Sequence, residues 1–338
     1  MVELNNRRTV LEALKIPLEK KISSILENFP SFKSKKNSKT LYHYTDLHSL
    51  KAIVENQSFF CSNSAYLNDK KEYYYGLDLF KKEFEKIANN PKNDTSFNIV
   101  SAVLTELKEK NISNHFATCF SLEGDLLSQW RAYANDGKGI AIGLDRKKLI
   151  EGFENIASGF YIEYGSNNQL ELVNNLIETI TEYYFEHFDL IFELKSDEDV
   201  FKEIAQEINE LLDKYIGLFK HSSFEEEKEF RFEMSTDKQF SISLESISYR
   251  VGKNNLLVPY KVLKTDYAFE KERAKDDKVS LELLEKNKKY RVKKIPISHI
   301  IIGPSLDSEL NKHSIKDFLS KNGYSDVEII PSEVPYRI

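Results

Sequence analysis

Apolar residues in the segment TVLEALKIPLEKKISSILENF (9–29) recur at mixed spacings of three and four, with Leu11, Leu14, Ile16, Leu18, Ile22, Ile25 and Leu26 marking the stripe. That period predicts a helical arm, and Pro17, which has no N–H to donate, predicts that the arm comes in two pieces. The polar, basic PSFKSKKNSK that follows reads as a linker ending near Thr40. Leu41 to Thr45 is short, aromatic and β-branched and predicts a strand; Thr45 or Asp46 then caps a helix through Leu47, Leu50, Ile53 and Val54, and Ser58 to Ser62 reads as a second strand. Beyond a loop at Leu67-Asn68-Asp69, two helices are expected, the second over Asn98 to Glu109, followed by a strand from His115 to Phe120. A turn at Gly124-Asp125 leads into a short helix bearing Leu126, Leu127, Trp130 and Tyr133, and Ile140 to Leu144 is a strand behind the turn Asn135-Asp136-Gly137. Residues 166–220 have an extended period near 3.6 with almost no β signal and predict a helical insertion of at least two helices. Strand patterns return at Phe230 to Phe232, Ile242 with Leu244, Ser248 to Val251, Leu256 to Tyr260 and Ile300 to Ile302, with a helix from Ser314 to Lys321 and a last strand over Val327 to Ile330.

This outline, β-rich, then helical, then β-rich, predicts an α+β fold: a helical arm and linker over 1–40, then one domain over 41–338 interrupted by the insertion at about 166–220. Composition narrows the architecture further. Gly (12) and Pro (8) among 338 residues fall well below their usual shares of roughly 7% and 5%, against a sandwich of many tight hairpins. Two cysteines, Cys61 and Cys119, cannot build a disulfide framework or a four-cysteine zinc site. No apolar run of about 18 residues occurs and the N-terminus has no apolar signal region, so a cytoplasmic protein without a membrane partner is expected. The net charge of −6 hides an uneven distribution: nine Lys/Arg against four Asp/Glu over 1–40 (+5), and four Lys against thirteen Asp/Glu over 166–220 (−9). The insertion is a candidate surface for self-association.

The sequence contains no G-x-x-x-x-G-K-[ST], G-x-G-x-x-G, G-x-S-x-G or H-E-x-x-H, which disfavours P-loop enzymes, Rossmann dehydrogenases, α/β-hydrolases and zincins, and His43 and His48 are five apart rather than four, so no metal is expected. Three blocks carry residue types suited to chemistry. In Leu41-Tyr42-His43-Tyr44-Thr45, followed by Tyr66-Leu67-Asn68-Asp69, strand alternation puts Tyr42 and Tyr44 on one face and His43 on the other. In the second block Trp130 and Tyr133 lie three apart on one helical face, suited to walling an apolar slot. In the third, Glu226 to Phe232, a continuous strand would align Glu227, Glu229 and Arg231 opposite Phe230 and Phe232, giving two carboxylates and a guanidinium able to stabilise a cationic transition state. Each block also has a plain reading: a satisfied core histidine, a core aromatic pair, a solvated charged face.

In this order the blocks resemble the bacterial family catalogued as domain of unknown function 2971, through LYHYTDLHSLKAIVENQSFFCSNSAYLND (41–69), TCFSLEGDLLSQWRAYANDGKGIAIGLD (118–145), SFEEEKEFRF (223–232), LLVPY (256–260) and IIIGPSLD (300–307). A more distant resemblance is to ADP-ribosyltransferases. It implies central mixed or antiparallel sheets of that superfamily's type with peripheral helices, and NAD as substrate, with His43 on the adenosine ribose, Trp130 or Tyr133 stacking on nicotinamide, and Glu229 or Glu227 as the catalytic glutamate. Tyr44, Thr45, Tyr66, Asn68 and Arg231 would complete the NAD site. The activity so implied is transfer of ADP-ribose to a protein or nucleic-acid target, in the setting of a toxin or antiphage effector. Two rivals remain at this level: a non-catalytic nucleotide- or protein-binding module, and a metal-dependent nuclease in which Glu226-Glu227-Lys228 follows Asp69 or Asp125.

Overall fold

Strand β1 (Thr40–Thr45) forms where the chain offers an unbroken aromatic and β-branched run, and helix α3 (Leu47–Asn56) follows at once because Asp46 accepts the Ser49 amide at 2.7 Å and closes its first turn. These elements belong to a computed structural model that describes residues 7–66, 72–110, 115–153, 156–193, 199–234, 247–252, 255–265 and 292–336. The remaining strands among them are β2 (Ser58–Asn63), β3 (Phe116–Ser121), β4 (Ile140–Asp145), β5 (Ser158–Tyr161), β6 (Glu229–Met234), β7 (Ser248–Val251), β8 (Leu257–Lys264), β9 (Ile297–Ile302) and β10 (Glu328–Pro331). They make one mixed sheet in the order β10-β9-β4-β1-β3-β2-β8-β7, with β6 on β3 and β5 on β6. Only the β9–β10 pairing among these is parallel. The protein is therefore α+β.

Strand β3 is the branch point. One of its edges pairs along its full length with β6; the other is shared, Ser121 meeting Tyr42 of β1 while Phe116 and Ala117 meet Asn63 and Ser62 of β2. The His43 ring reaches β3 between these partners, its Nδ1 donating to the Cys119 carbonyl at 3.2 Å. One sheet face is apolar, built from Leu41, Phe59, Phe116, Phe120, Phe230, Phe232 and Ile142, with edge-to-face rings throughout. The other carries Tyr42, Tyr44, Ser121 and the charged side chains of β6. Helices α6 (Leu127–Tyr133), α7 (Arg146–Phe153) and α11 (Ser308–Lys321) join α3 in this unit, which takes in residues 37–67, 114–162 and 223–338.

A second compact unit, residues 1–36, 68–113 and 163–222, contains helices α1 (Arg7–Asn28), α2 (Pro30–Lys35), α4 (Glu72–Asn89), α5 (Asp94–Glu109), α8 (Ser166–Glu186), α9 (Phe188–Glu193) and α10 (Asp199–Ile216). The basic arm and the acidic insertion thus lie in the same unit. Lys15 faces Glu210 at 3.3 Å and Lys214 faces Glu19 at 2.8 Å, so part of the +5 and −9 imbalance is neutralised between α1 and α10. Sequence expectation fails in two places here. Helix α1 runs straight through Pro17, because burial of Leu14, Leu18 and Ile22 along one stripe outweighs the lost hydrogen bond; the break falls at Phe29. The basic linker instead begins as α2, anchored by buried Phe32 and by a hydrogen bond from Ser31 to Glu163. Helix α7 and strand β5 carried no signal strong enough to be foreseen, and the expected strand at Ile242 and Leu244 lies outside the described residues. No helix among the described residues is long and apolar enough to cross a membrane.

Candidate functional site

Strand β6 alternates as its sequence requires: Phe230 and Phe232 enter the apolar layer, and Glu229, Arg231 and Glu233 project to the other side. Both sides are buried, so the charged face is not solvated; Glu229 is 4% exposed and Arg231 3%. The Arg231 Nε and Nη2 both reach Glu229 Oε1, at 2.8 and 2.7 Å, and Nη1 lies 3.7 Å from Glu233 Oε1. One guanidinium between two carboxylates leaves this row with a formal charge of −1 and fixes the orientation of Glu229.

Glu227 departs from the alternation. It ends a 3-10 turn (Ser222–Glu227), and Lys228, at φ +45°, turns the chain before β6 begins. The reading of Glu227 and Glu229 as strand neighbours is corrected accordingly. Glu227 is nevertheless held at the same end of the strand: its backbone carbonyl accepts the Ser121 hydroxyl at 2.9 Å and its Oε1 accepts the Tyr133 hydroxyl at 2.9 Å. Ser121 is in turn the direct register partner of Glu229. Glu229, Ser121, Glu227 and Tyr133 are therefore brought together.

Trp130 and Tyr133 share a face of α6 but differ in fate. Trp130 is fully buried, edge-on to Tyr44 with centroids 4.9 Å apart, and its indole N–H donates to Asp125 at 2.6 Å. Half-buried Tyr133 is the one whose hydroxyl reaches the acidic end of β6. Tyr44 bridges the turn before α6, donating to the Glu123 carbonyl and accepting from the Leu126 amide, and burial pushes its phenol pKa far up. Asp125 gathers this end of the sheet, since it also accepts the Ser332 hydroxyl at 2.6 Å and the Glu333 amide at 2.7 Å. Asp125→Ala leaves three donors without their acceptor and is expected to cost about 2–4 kcal/mol, read by chemical denaturation, together with faster amide exchange at Glu333 and Val334. Unchanged exchange there would show that the C-terminal strap is held by other contacts.

His43 lies on the other face. Tyr42 pairs with Ser121 and so faces Glu229, and His43, one residue on, points away to pack edge-on to Phe59 and against Phe120. Thr45 shares that orientation and is buried, while Tyr66 stands 46% exposed at the end of a 3-10 turn (Ser64–Tyr66). Asn68 lies outside the described residues. Burial holds the His43 pKa below the ordinary 6.5, against a smaller upward pull from the Cys119 carbonyl. Below pH 6.5 the unfolded chain takes a proton that folded His43 refuses, so stability falls with pH until the folded pKa is passed, by at most about 1.4 kcal/mol per unit. His43→Gln, which can still donate to Cys119, is expected to remove that part of the slope; equal urea-denaturation slopes between pH 7 and 5 for both proteins would refute it.

The register discloses a row the motifs did not mark. Glu229 pairs with Ser121, Ser121 with Tyr42, Tyr42 with Gly143, Gly143 with His299 and His299 with Glu328, all on one face across six strands. A side chain at Gly143 would put Cβ 2.5 Å from the His299 ring, and one at Gly124 would put Cβ 2.3 Å from the Tyr42 ring, so both rings lie where glycine alone leaves room. The rings meet edge to face at 5.4 Å, and both are half-buried. Burial lowers the His299 pKa, partly offset by Glu328. The one available signal was a histidine interrupting the apolar run of β9.

No curated protein and no solved structure matches the chain. Residues 129–232, a stretch holding Trp130, Tyr133, Glu227, Glu229 and Arg231, match the model of the family described as Protein of unknown function (DUF2971).

Proposed function

We propose that the chain is an ADP-ribosyltransferase-like enzyme that cleaves the nicotinamide–ribose bond of NAD and passes the ADP-ribosyl group to a macromolecular target, with Glu229 as its catalytic carboxylate; the sheet type of that superfamily and a role as toxin or antiphage effector belong to the same reading. The observation that carries it is the buried Glu229–Arg231 pair set beside Ser121, Tyr133 and Glu227. When the C1′–N bond breaks, its electron pair leaves with neutral nicotinamide and positive charge develops on the ribosyl carbon and ring oxygen. A fixed carboxylate in a row of net charge −1 stabilises that charge and can accept a hydrogen bond from a ribose hydroxyl, with no solvent reorganisation. The acceptor nucleophile then bonds to C1′ and releases its proton. Tyr133, rather than buried Trp130, is the ring available beside the nicotinamide, and His43 has no part in this arrangement.

The second reading, a nucleotide-binding module without catalysis, draws on the placement of His43 away from Glu229 and on the complete burial of Trp130. Incubation of the full chain with NAD and protein, DNA or RNA acceptors separates the two. Chromatographic release of nicotinamide is expected. NAD binding without release in any mixture would overturn the transferase reading in favour of the module.

A further inference from the structure

Along strand β8 the residues on the apolar face of the sheet are Leu263, Lys261, Pro259 and Leu257, and their burial is lost toward the turn. The first two are buried, Pro259 is half-buried and Leu257 is 61% exposed. Register sets Val251 opposite Leu257 and Tyr249 opposite Pro259, so four apolar side chains share this face of the β7–β8 hairpin, with Tyr249 61% and Val251 69% exposed. Leu256, in the turn closed by the Gly252 amide on its carbonyl at 2.8 Å, is 46% exposed. The hairpin end thus offers water a contiguous apolar patch. Its charge is one-sided as well: residues 248–264 carry four Lys/Arg and no Asp or Glu, in a chain of net charge −6. Lys261 is turned inward, 5.0 Å from the centroid of the Phe116 ring, whereas Arg250 is exposed on the opposite face, its Nη2 donating to the Ser62 hydroxyl at 2.9 Å.

We propose that this hairpin docks the protein peripherally on an anionic phospholipid bilayer, with Tyr249, Val251, Leu256 and Leu257 entering the boundary between headgroups and acyl chains and Arg250 meeting lipid phosphates. A lipid surface matches both halves of the patch. Aliphatic side chains gain by leaving water, an aromatic ring with a polar tip suits the interface, and cations are drawn to the anionic leaflet. Stable attachment takes an apolar anchor together with basic charge, and the hairpin carries both. A nucleic acid would match the cations but has no use for three exposed aliphatic side chains, and a second copy of the hairpin would set like charges against one another. Peripheral docking needs no spanning helix, and it is independent of the NAD reading above.

Sedimentation of the full chain with vesicles of phosphatidylcholine alone, or of phosphatidylcholine and phosphatidylglycerol in equal parts, tests this. Attachment to the anionic vesicles is expected, falling by about tenfold or more on the neutral ones and in about 1 M salt, where the screening length is about 3 Å. The pair Val251→Ser and Leu257→Ser should lower the partition by about tenfold or more, and Arg250→Gln, which can still donate to Ser62, by a smaller factor. All three positions are exposed, and circular dichroism with the emission of Trp130, the single tryptophan, reports that each variant is folded. No attachment of the wild type to anionic vesicles, or equal attachment by the Val251→Ser, Leu257→Ser variant, would overturn the proposal. Lipid-free self-association abolished by the same two substitutions would also overturn it and assign the patch to a second copy.

Discussion

Arg231→Met is expected to destabilise the protein by about 3–5 kcal/mol, the largest effect of any single substitution at the site. The guanidinium is 3% exposed and lies between Glu229 and Glu233. Removing it leaves two buried carboxylates facing one another on the same side of one strand, with their desolvation no longer offset by a cation. Urea denaturation of the folded variant measures the loss. The triple change Glu229→Gln, Arg231→Met and Glu233→Gln should regain most of it, since a neutral row has no such desolvation cost. A variant as stable as the wild type would mean that the carboxylates take up protons or solvent on losing Arg231, and the fixed charge ascribed to Glu229 would fall with it.

That row shows what alternation in a sequence can and cannot convey. The pattern Glu229-Phe230-Arg231-Phe232 correctly divides the strand into two faces. It cannot say that the charged face is buried, because burial depends on what the rest of the fold lays over it. Nor could it place Glu227, whose departure from the strand comes from the positive φ of Lys228, a residue type with no turn preference of its own. In the first block alternation was again right, and its consequence is strong: it sends His43 into the fork of β1, β2 and β3 and leaves Tyr42 on the side of Glu229. A local signal such as the Asp46 cap was legible for the same reason, that its partner lies within a few residues. The row to His299 was not legible, because it exists only through four pairings between strands that are distant in sequence. Pro17 misled in the opposite direction, where a local cost was outweighed by burial that no local pattern records.

Glu229→Gln is expected to lower nicotinamide release by about 10²–10³-fold with the fold retained, because the amide keeps the shape and the acceptor oxygen facing Arg231 but loses the charge. Its effect should appear in kcat, since the stabilisation it removes exists only as the ribosyl cation develops. Glu227→Gln serves as the comparison. Its side chain holds Tyr133 by a 2.9 Å hydrogen bond, which an amide oxygen can still accept, so a loss of about tenfold or less, mainly in KM, is expected. The reverse ranking, with Glu227→Gln the inactive variant, would transfer the catalytic role to the carboxylate at the end of the 3-10 turn and make the buried Glu229–Arg231 pair a purely structural element. Full activity in both variants would end the carboxylate mechanism, because Glu229 is the carboxylate bonded to Arg231 at the start of β6 and Glu227 is the one bonded to the Tyr133 hydroxyl.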